Sequence, residues 1–169
     1  YLDPDYYAGQ VLSTVLGGGM SSRLFQEVRE KRALAYSIFS FTHPFEDSGL
    51  FGVYAGTSPS QVDELIEVIA KEIKKISNEI NEEEISRARA QHKSGLLMGL
   101  ESSSARCELL ARQLQIHGRP ISPFELGQKI DSVDVDSIIR AANRIISSVP
   151  SLSLVGPVKQ SNVSGKLSG

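Results

Sequence analysis

The sequence predicts an α+β fold, an antiparallel or mixed sheet packed by several helices, on three observations. Apolar residues recur every three or four positions through several capped segments, the period of an amphipathic helix. Two other stretches, 34–42 and 50–56, are rich in aromatic, β-branched and small residues, with turn formers between them. Over 169 residues, 40% are hydrophobic and 22% charged, enough apolar surface for the core of one domain.

The first helix is expected over 4–16, with Asp3 as N-cap and Pro4 at the first helical position, where a missing N–H is harmless. Ala8, Val11, Leu12 and Val15 form its stripe, and Gly17, Gly18 and Gly19 stop it. A second helix starts at Ser21 or Ser22 and buries Leu24, Phe25 and Val28. Arg23, Glu27 and Lys31, four apart, are expected as a solvated ladder. The two strands follow, joined by a loop over 43–49, and alternation puts Tyr36 on the face of Leu34 and Ile38.

Ser58, Pro59 and Gln61 read as a capping box. The helix they open carries Val62, Leu65, Ile66, Ile69, Ala70, Ile73 and Ile76 on one stripe, with Asp63, Glu67, Lys71 and Lys74 toward water. Asn81 with Glu84 opens another helix reaching Met98. Ser102 or Ser103 starts the next, with Cys107, Leu110, Ala111 and Leu114 inward and Gly118 at its end. Ser122, Pro123 and Glu125 open a short helix, and Asp134 caps one running through Ile138, Ala141, Ile145 and Ile146. The run 151–155 has strand character. Three strands are a thin sheet for about seven helices, each of which needs a surface to bury its stripe. Strands preceding Tyr1 are therefore expected to be missing, leaving a sheet edge open to self-association or to peptide. The domain is expected over 1–157, with a flexible tail over 158–169.

Several functions are disfavoured by composition. Eighteen Lys and Arg against twenty Asp and Glu give a net charge of −2, without the basic excess of a nucleic-acid binder. The single cysteine, Cys107, forms no internal disulfide and no Cys-rich zinc module; on an apolar helix face it is expected as a buried structural thiol. No membrane span and no signal peptide are visible. His43, His92 and His117 are far apart and form no ligand pair, so no metal is expected in this chain. The three glycines follow a helix rather than a strand and lack a phosphate-loop ending; they are expected as a helix-to-helix turn. The serines have no Gly-x-Ser-x-Gly elbow and are explained by capping.

One segment says more. Residues 16–37, LGGGMSSRLFQEVREKRALAYS, closely resemble the signature of the second domain of M16 zinc metallopeptidases, the family of pitrilysin, insulysin and the mitochondrial processing peptidase. The resemblance continues through Asp47, Ser48, Gly49, Leu50 and Phe51, the helix after Ser58, the run 100–106 and the run 118–121, so it covers 3–156. Bacterial processing-peptidase-like members are the nearest in pattern.

The resemblance implies a half-domain of an M16 peptidase, one of a pair of similar domains enclosing a chamber. The inverted zinc motif, His-x-x-Glu-His, belongs to the amino-terminal domain and is absent here. Zinc is thus expected in the full-length enzyme and not in this chain, which alone should not hydrolyse peptides. An Arg and a Tyr seven positions apart reach the active site from this domain, and the matching positions are Arg29 and Tyr36. Implied partners are a zinc-bearing amino-terminal domain or subunit, an extended peptide substrate and a possible second copy. The rival reading is a non-catalytic assembly or recognition subunit like the core proteins of respiratory complexes. The expected compartment is a bacterial cytoplasm, with periplasm and mitochondrial matrix as alternatives.

Overall fold

The computed structural model describes residues 1–157, and the tail expected over 158–169 lies outside the described residues. In chain order come α1 (Tyr6–Gly17), a π-helix (Phe25–Glu30), β1 (Ser37–Pro44), β2 (Gly49–Gly56), a 3₁₀ turn (Pro59–Gln61), α2 (Val62–Glu79), α3 (Glu82–Gly99), α4 (Ser103–His117), α5 (Pro123–Asp131) and α6 (Val135–Ile146). The α+β class holds, with helices dominating a two-stranded antiparallel sheet.

Helix α1 is the hub, packing against β1, α3, α5 and α6. Its Ala8, Val11, Leu12, Val15 and Leu16 meet Leu24, Val28, Ile38, Ile85, Ile130 and Ile138 in one continuous core. Each fully buried Leu or Ile contributes about 1.5–3 kcal/mol of transfer free energy. The hairpin register pairs Ile38 with Ala55, Ser40 with Val53 and Thr42 with Phe51, and these six form the face toward the core. The other face carries Phe39 stacked on its neighbour Tyr54, ring centroids 5.1 Å apart. Ser40 fixes the hairpin to α1: its hydroxyl donates to the Ser13 carbonyl at 2.6 Å. Gly17 makes that approach possible, since the Ser40 backbone fills the space a Cβ would need.

The local caps behave as their chemistry dictates. Asn81 and Glu84 form a reciprocal box at α3, and Asp134 does the same with Ser137 at α6. Ser102 and Ser122 cap α4 and α5, and Gly118, at φ 67°, closes α4 in the left-handed conformation that glycine adopts freely.

Several expectations are corrected. Helix α1 begins at Tyr6 rather than Pro4, because Asp3 is used upstream: its carboxylate accepts the Asp5 N–H at 2.8 Å and its carbonyl the Tyr6 N–H at 3.0 Å. Asp3 and Asp5 then pair with Arg144 and Arg140 of α6. Ser58 caps no amide; its hydroxyl donates to Gln61 Oε1 at 2.8 Å, and the chain enters α2 through the 3₁₀ turn. Arg23 is not part of a solvated ladder. It donates twice to the Glu84 carboxylate, both at 2.7 Å, and once to the Glu79 carbonyl, tying the glycine turn to the α2–α3 junction. On α2, Glu72 is buried and paired with Lys75.

The run 151–155 forms no strand; it lies exposed along its length and pairs with neither strand of the hairpin. Cys107, Leu110, Ala111 and Leu114 face outward, not inward, and Gln113 is the buried residue of α4. This helix stands at the margin of the core, so its apolar side meets no opposing layer among the described residues. Cys107 is therefore an exposed thiol, not a buried one. Among the described residues no helix is long and apolar enough to cross a membrane.

Candidate functional site

Arg29 stands in the last turn of the π-helix, and Tyr36 is the residue before β1. Between them the chain reverses within seven residues. Lys31 N–H reaches back five residues to the Gln26 carbonyl at 3.0 Å, the widened spacing of a π turn. Leu34 N–H reaches back six, to the Val28 carbonyl at 2.8 Å, and Ala33 N–H meets the Arg29 carbonyl at 3.1 Å. Ala33 makes the reversal at φ 51°, a left-handed conformation costing a residue with a Cβ about 1–2 kcal/mol. Strain of this kind persists only where the surroundings over-determine it, and it concentrates at functional positions.

The surroundings here are specific. Leu34 and Ala35 are buried. The Thr57 hydroxyl donates to the Leu34 carbonyl at 2.6 Å, and the Gln61 side-chain amide to the Ala33 carbonyl at 3.3 Å. Tyr36 N–H donates to the Gly56 carbonyl at 3.0 Å. The backbone on both sides of the tyrosine is thus fixed while its ring stands free: Tyr36 is 86% exposed, whereas Leu34 is 3% and Ile38 7% exposed. The expected shared face with Leu34 and Ile38 is corrected accordingly. Pairing in β1 starts at Ser37, so strand alternation does not govern Tyr36.

The structure brings Arg29 and Tyr36 together. The guanidinium carbon of Arg29 lies 5.5 Å from the Tyr36 ring centroid and 4.7 Å from that of Phe25. Its charged neighbour Glu30 is at 3.9 Å, beyond hydrogen-bond distance. Among the described residues Arg29 donates no hydrogen bond and the Tyr36 hydroxyl makes none, so both donors are available to a ligand. The other cations nearby are held by carboxylates. Glu27 accepts from Lys31 and from Arg32, each at 2.5 Å, and these two bonds push its carboxyl down to about 2.

Among the described residues no three His, Cys, Asp or Glu are grouped to hold a metal ion. His43 lies in β1, His92 in α3, where burial lowers its pKa, and His117 in the last turn of α4.

Two features were not visible in the sequence reading. Phe25, expected in the core, is half-buried and lies against Arg29; its spacing of four from the arginine was the available signal. A cleft of about 780 Å³ opens between β2, α2 and the end of α6, floored by Phe51, Val53, Ile69, Ile73 and Ile145. Leu152, from the run expected as a strand, lines its rim. Neither Arg29 nor Tyr36 borders it.

A family model described as the peptidase M16 inactive domain matches residues 1–92, over half of the chain. An uncharacterized zinc protease of Streptomyces coelicolor is 41% identical over 163 residues, 96% of this chain and 36% of that protein. The alpha subunit of the mitochondrial-processing peptidase of Neurospora crassa is 35% identical over 160 residues, 85% of this chain and 28% of the subunit. Among solved structures, a chain of complex III2 from Candida albicans superposes with a TM-score of 0.77 at 27% identity, covering 85% of this chain and 36% of that one. The chain thus spans about a third of the length of the relatives it matches. With the family model matching the segment that carries the glycine turn, the π-helix, the hairpin and most of α3, the chain belongs to the M16 peptidase family through its inactive domain.

Proposed function

We propose that this chain is the companion domain of a zinc-dependent endopeptidase of the processing-peptidase type. It would confine an extended peptide and complete an active site whose zinc is carried by an amino-terminal domain or a partner subunit. One observation carries the reading: a guanidinium and a phenol, with unused donors among the described residues, stand side by side on the surface across a strained backbone reversal anchored by several hydrogen bonds.

Hydrolysis of a peptide places developing negative charge on the carbonyl oxygen. Arg29 and Tyr36 would donate to that oxygen or to the adjoining substrate backbone, the guanidinium with its fixed fork of N–H groups and the phenol with one O–H. Donors already in position need no reorganisation at the moment of reaction, which is why the anchoring of 33–36 matters as much as the side chains. The protease names of the curated relatives support the reading. A bacterial cytoplasm is the compartment proposed.

A second reading is favoured by the likeness to a complex III2 chain: an assembly or recognition subunit without catalysis. Co-expression with a companion carrying His-x-x-Glu-His separates the two. A catalytic companion gives a stable complex that hydrolyses peptides while each part alone does not. An assembly subunit gives the complex without the hydrolysis.

A further inference from the structure

We propose that Phe25 is a positioning residue, resting on the reading above: its ring forms one wall of an aromatic slot, Tyr36 the other, that aims the Arg29 guanidinium without consuming its hydrogen-bond donors. The guanidinium carbon lies 4.7 Å from one ring centroid and 5.5 Å from the other, both within the range of cation–π attraction. The alternative way to hold an arginine is a carboxylate, as Glu84 holds Arg23 and Glu27 holds Arg32 in this same segment. A carboxylate fixes the side chain but occupies its N–H groups and cancels its charge. Two π faces restrain the guanidinium electrostatically while its N–H edge stays free for a carbonyl or carboxylate of a ligand.

The backbone is built to serve this slot. Phe25 and Arg29 are the first and fifth residues of the π-helix, where Lys31 N–H bonds to the Gln26 carbonyl rather than to that of Glu27. Phe25 is itself half-buried next to Leu24 and Val28, which are fully buried, and the Arg29 guanidinium lies over its ring. Glu30, the acid paired with Arg29 among the described residues, stays at 3.9 Å, beyond hydrogen-bond distance, and leaves the N–H groups unused.

Phe25→Leu keeps apolar bulk and removes the π face; Phe25→Tyr restores it. In the chain itself, the Arg29 Hδ and Nε–H resonances should move away from their ring-shifted positions in Phe25→Leu and return in Phe25→Tyr. In the complex with the zinc-bearing companion, kcat/KM should fall about fivefold in Phe25→Leu and recover in Phe25→Tyr, an effect the size of one cation–π contact. In an Arg29→Ala background Phe25→Leu should have no further effect. Unchanged Arg29 resonances in a folded Phe25→Leu chain, or Phe25→Leu losses that simply add to those of Arg29→Ala, overturn the proposal. If Arg29→Ala leaves hydrolysis intact, the catalytic reading fails, and the resonances still decide whether Phe25 positions the arginine.

Discussion

Gly17 lies so close to Ser40 that a Cβ added to the glycine would stand 2.3 Å from the Ser40 backbone nitrogen. The contact sets how closely β1 rests on α1, and through β1 it sets where Tyr36 leaves the hairpin. Gly17→Ala should therefore destabilise the fold by about 1–3 kcal/mol, the cost of overpacking a site whose neighbour is backbone. Gly9 and Gly95, also helical, have open space where a Cβ would go. Replacing either with Ala should instead stabilise by about 0.4–1 kcal/mol. Urea unfolding of the three variants checks the contrast.

Ala33 carries the left-handed turn between Arg29 and Tyr36. Ala33→Gly removes the Cβ strain and adds unfolded-state entropy, so stability should stay level or rise by up to about 1 kcal/mol. Ala33→Val, with a branched side chain at the same φ, should lose at least about 1–2 kcal/mol. Thermal unfolding of the pair measures the difference.

Glu27 should give the fold an acid-sensitive component. Its folded carboxyl titrates at about 2, below the ordinary 4.5, so ionisation stabilises the folded state once pH exceeds the unfolded value. The contribution is full above pH 4.5 and is lost as pH falls from there toward 2. Glu27→Gln should be less stable than the parent at pH 7 by about 1 kcal/mol, since Lys31 and Arg32 are solvent-facing partners. The difference should shrink steadily as pH falls from 4.5 toward 2 and vanish below that, as read by paired denaturant titrations across that window.

The two N–H bonds from Arg23 to Glu84 are partly shielded, each side chain being less than a fifth exposed. Arg23→Ala leaves Glu84 without its partner and should cost about 2 kcal/mol, more than a surface pair. Arg23→Ala combined with Glu84→Ala should cost less than the sum of the two, because neither charge is then stranded.

What could be read from the sequence was what local chemistry decides. Asn81 with Glu84, Ser102, Gly118, Ser122 and Asp134 act on amides or turns within a few residues of themselves, and their helix ends fall where expected. The hairpin was legible because its turn formers and its two uncharged runs are adjacent in the chain. The run 151–155 looked like a strand, but a strand is completed by an edge elsewhere, which periodicity does not reveal. Cys107, Leu110 and Leu114 share a helical face, yet a face is buried only if another layer meets it. For the site, the seven-residue spacing of Arg29 and Tyr36 came from a family signature. Their meeting depends on π-widening at Gln26–Lys31 and on the φ of Ala33, which carry no distinctive composition.

The most direct measurement is the kinetics of Tyr36→Phe in the complex with the zinc-bearing companion. This substitution keeps the ring beside Arg29 and removes a single O–H donor. The account predicts that kcat/KM for an extended peptide falls about a hundredfold, mostly in kcat, with the fold unaltered. A Tyr36→Phe complex that cleaves peptide at the parent rate would contradict it.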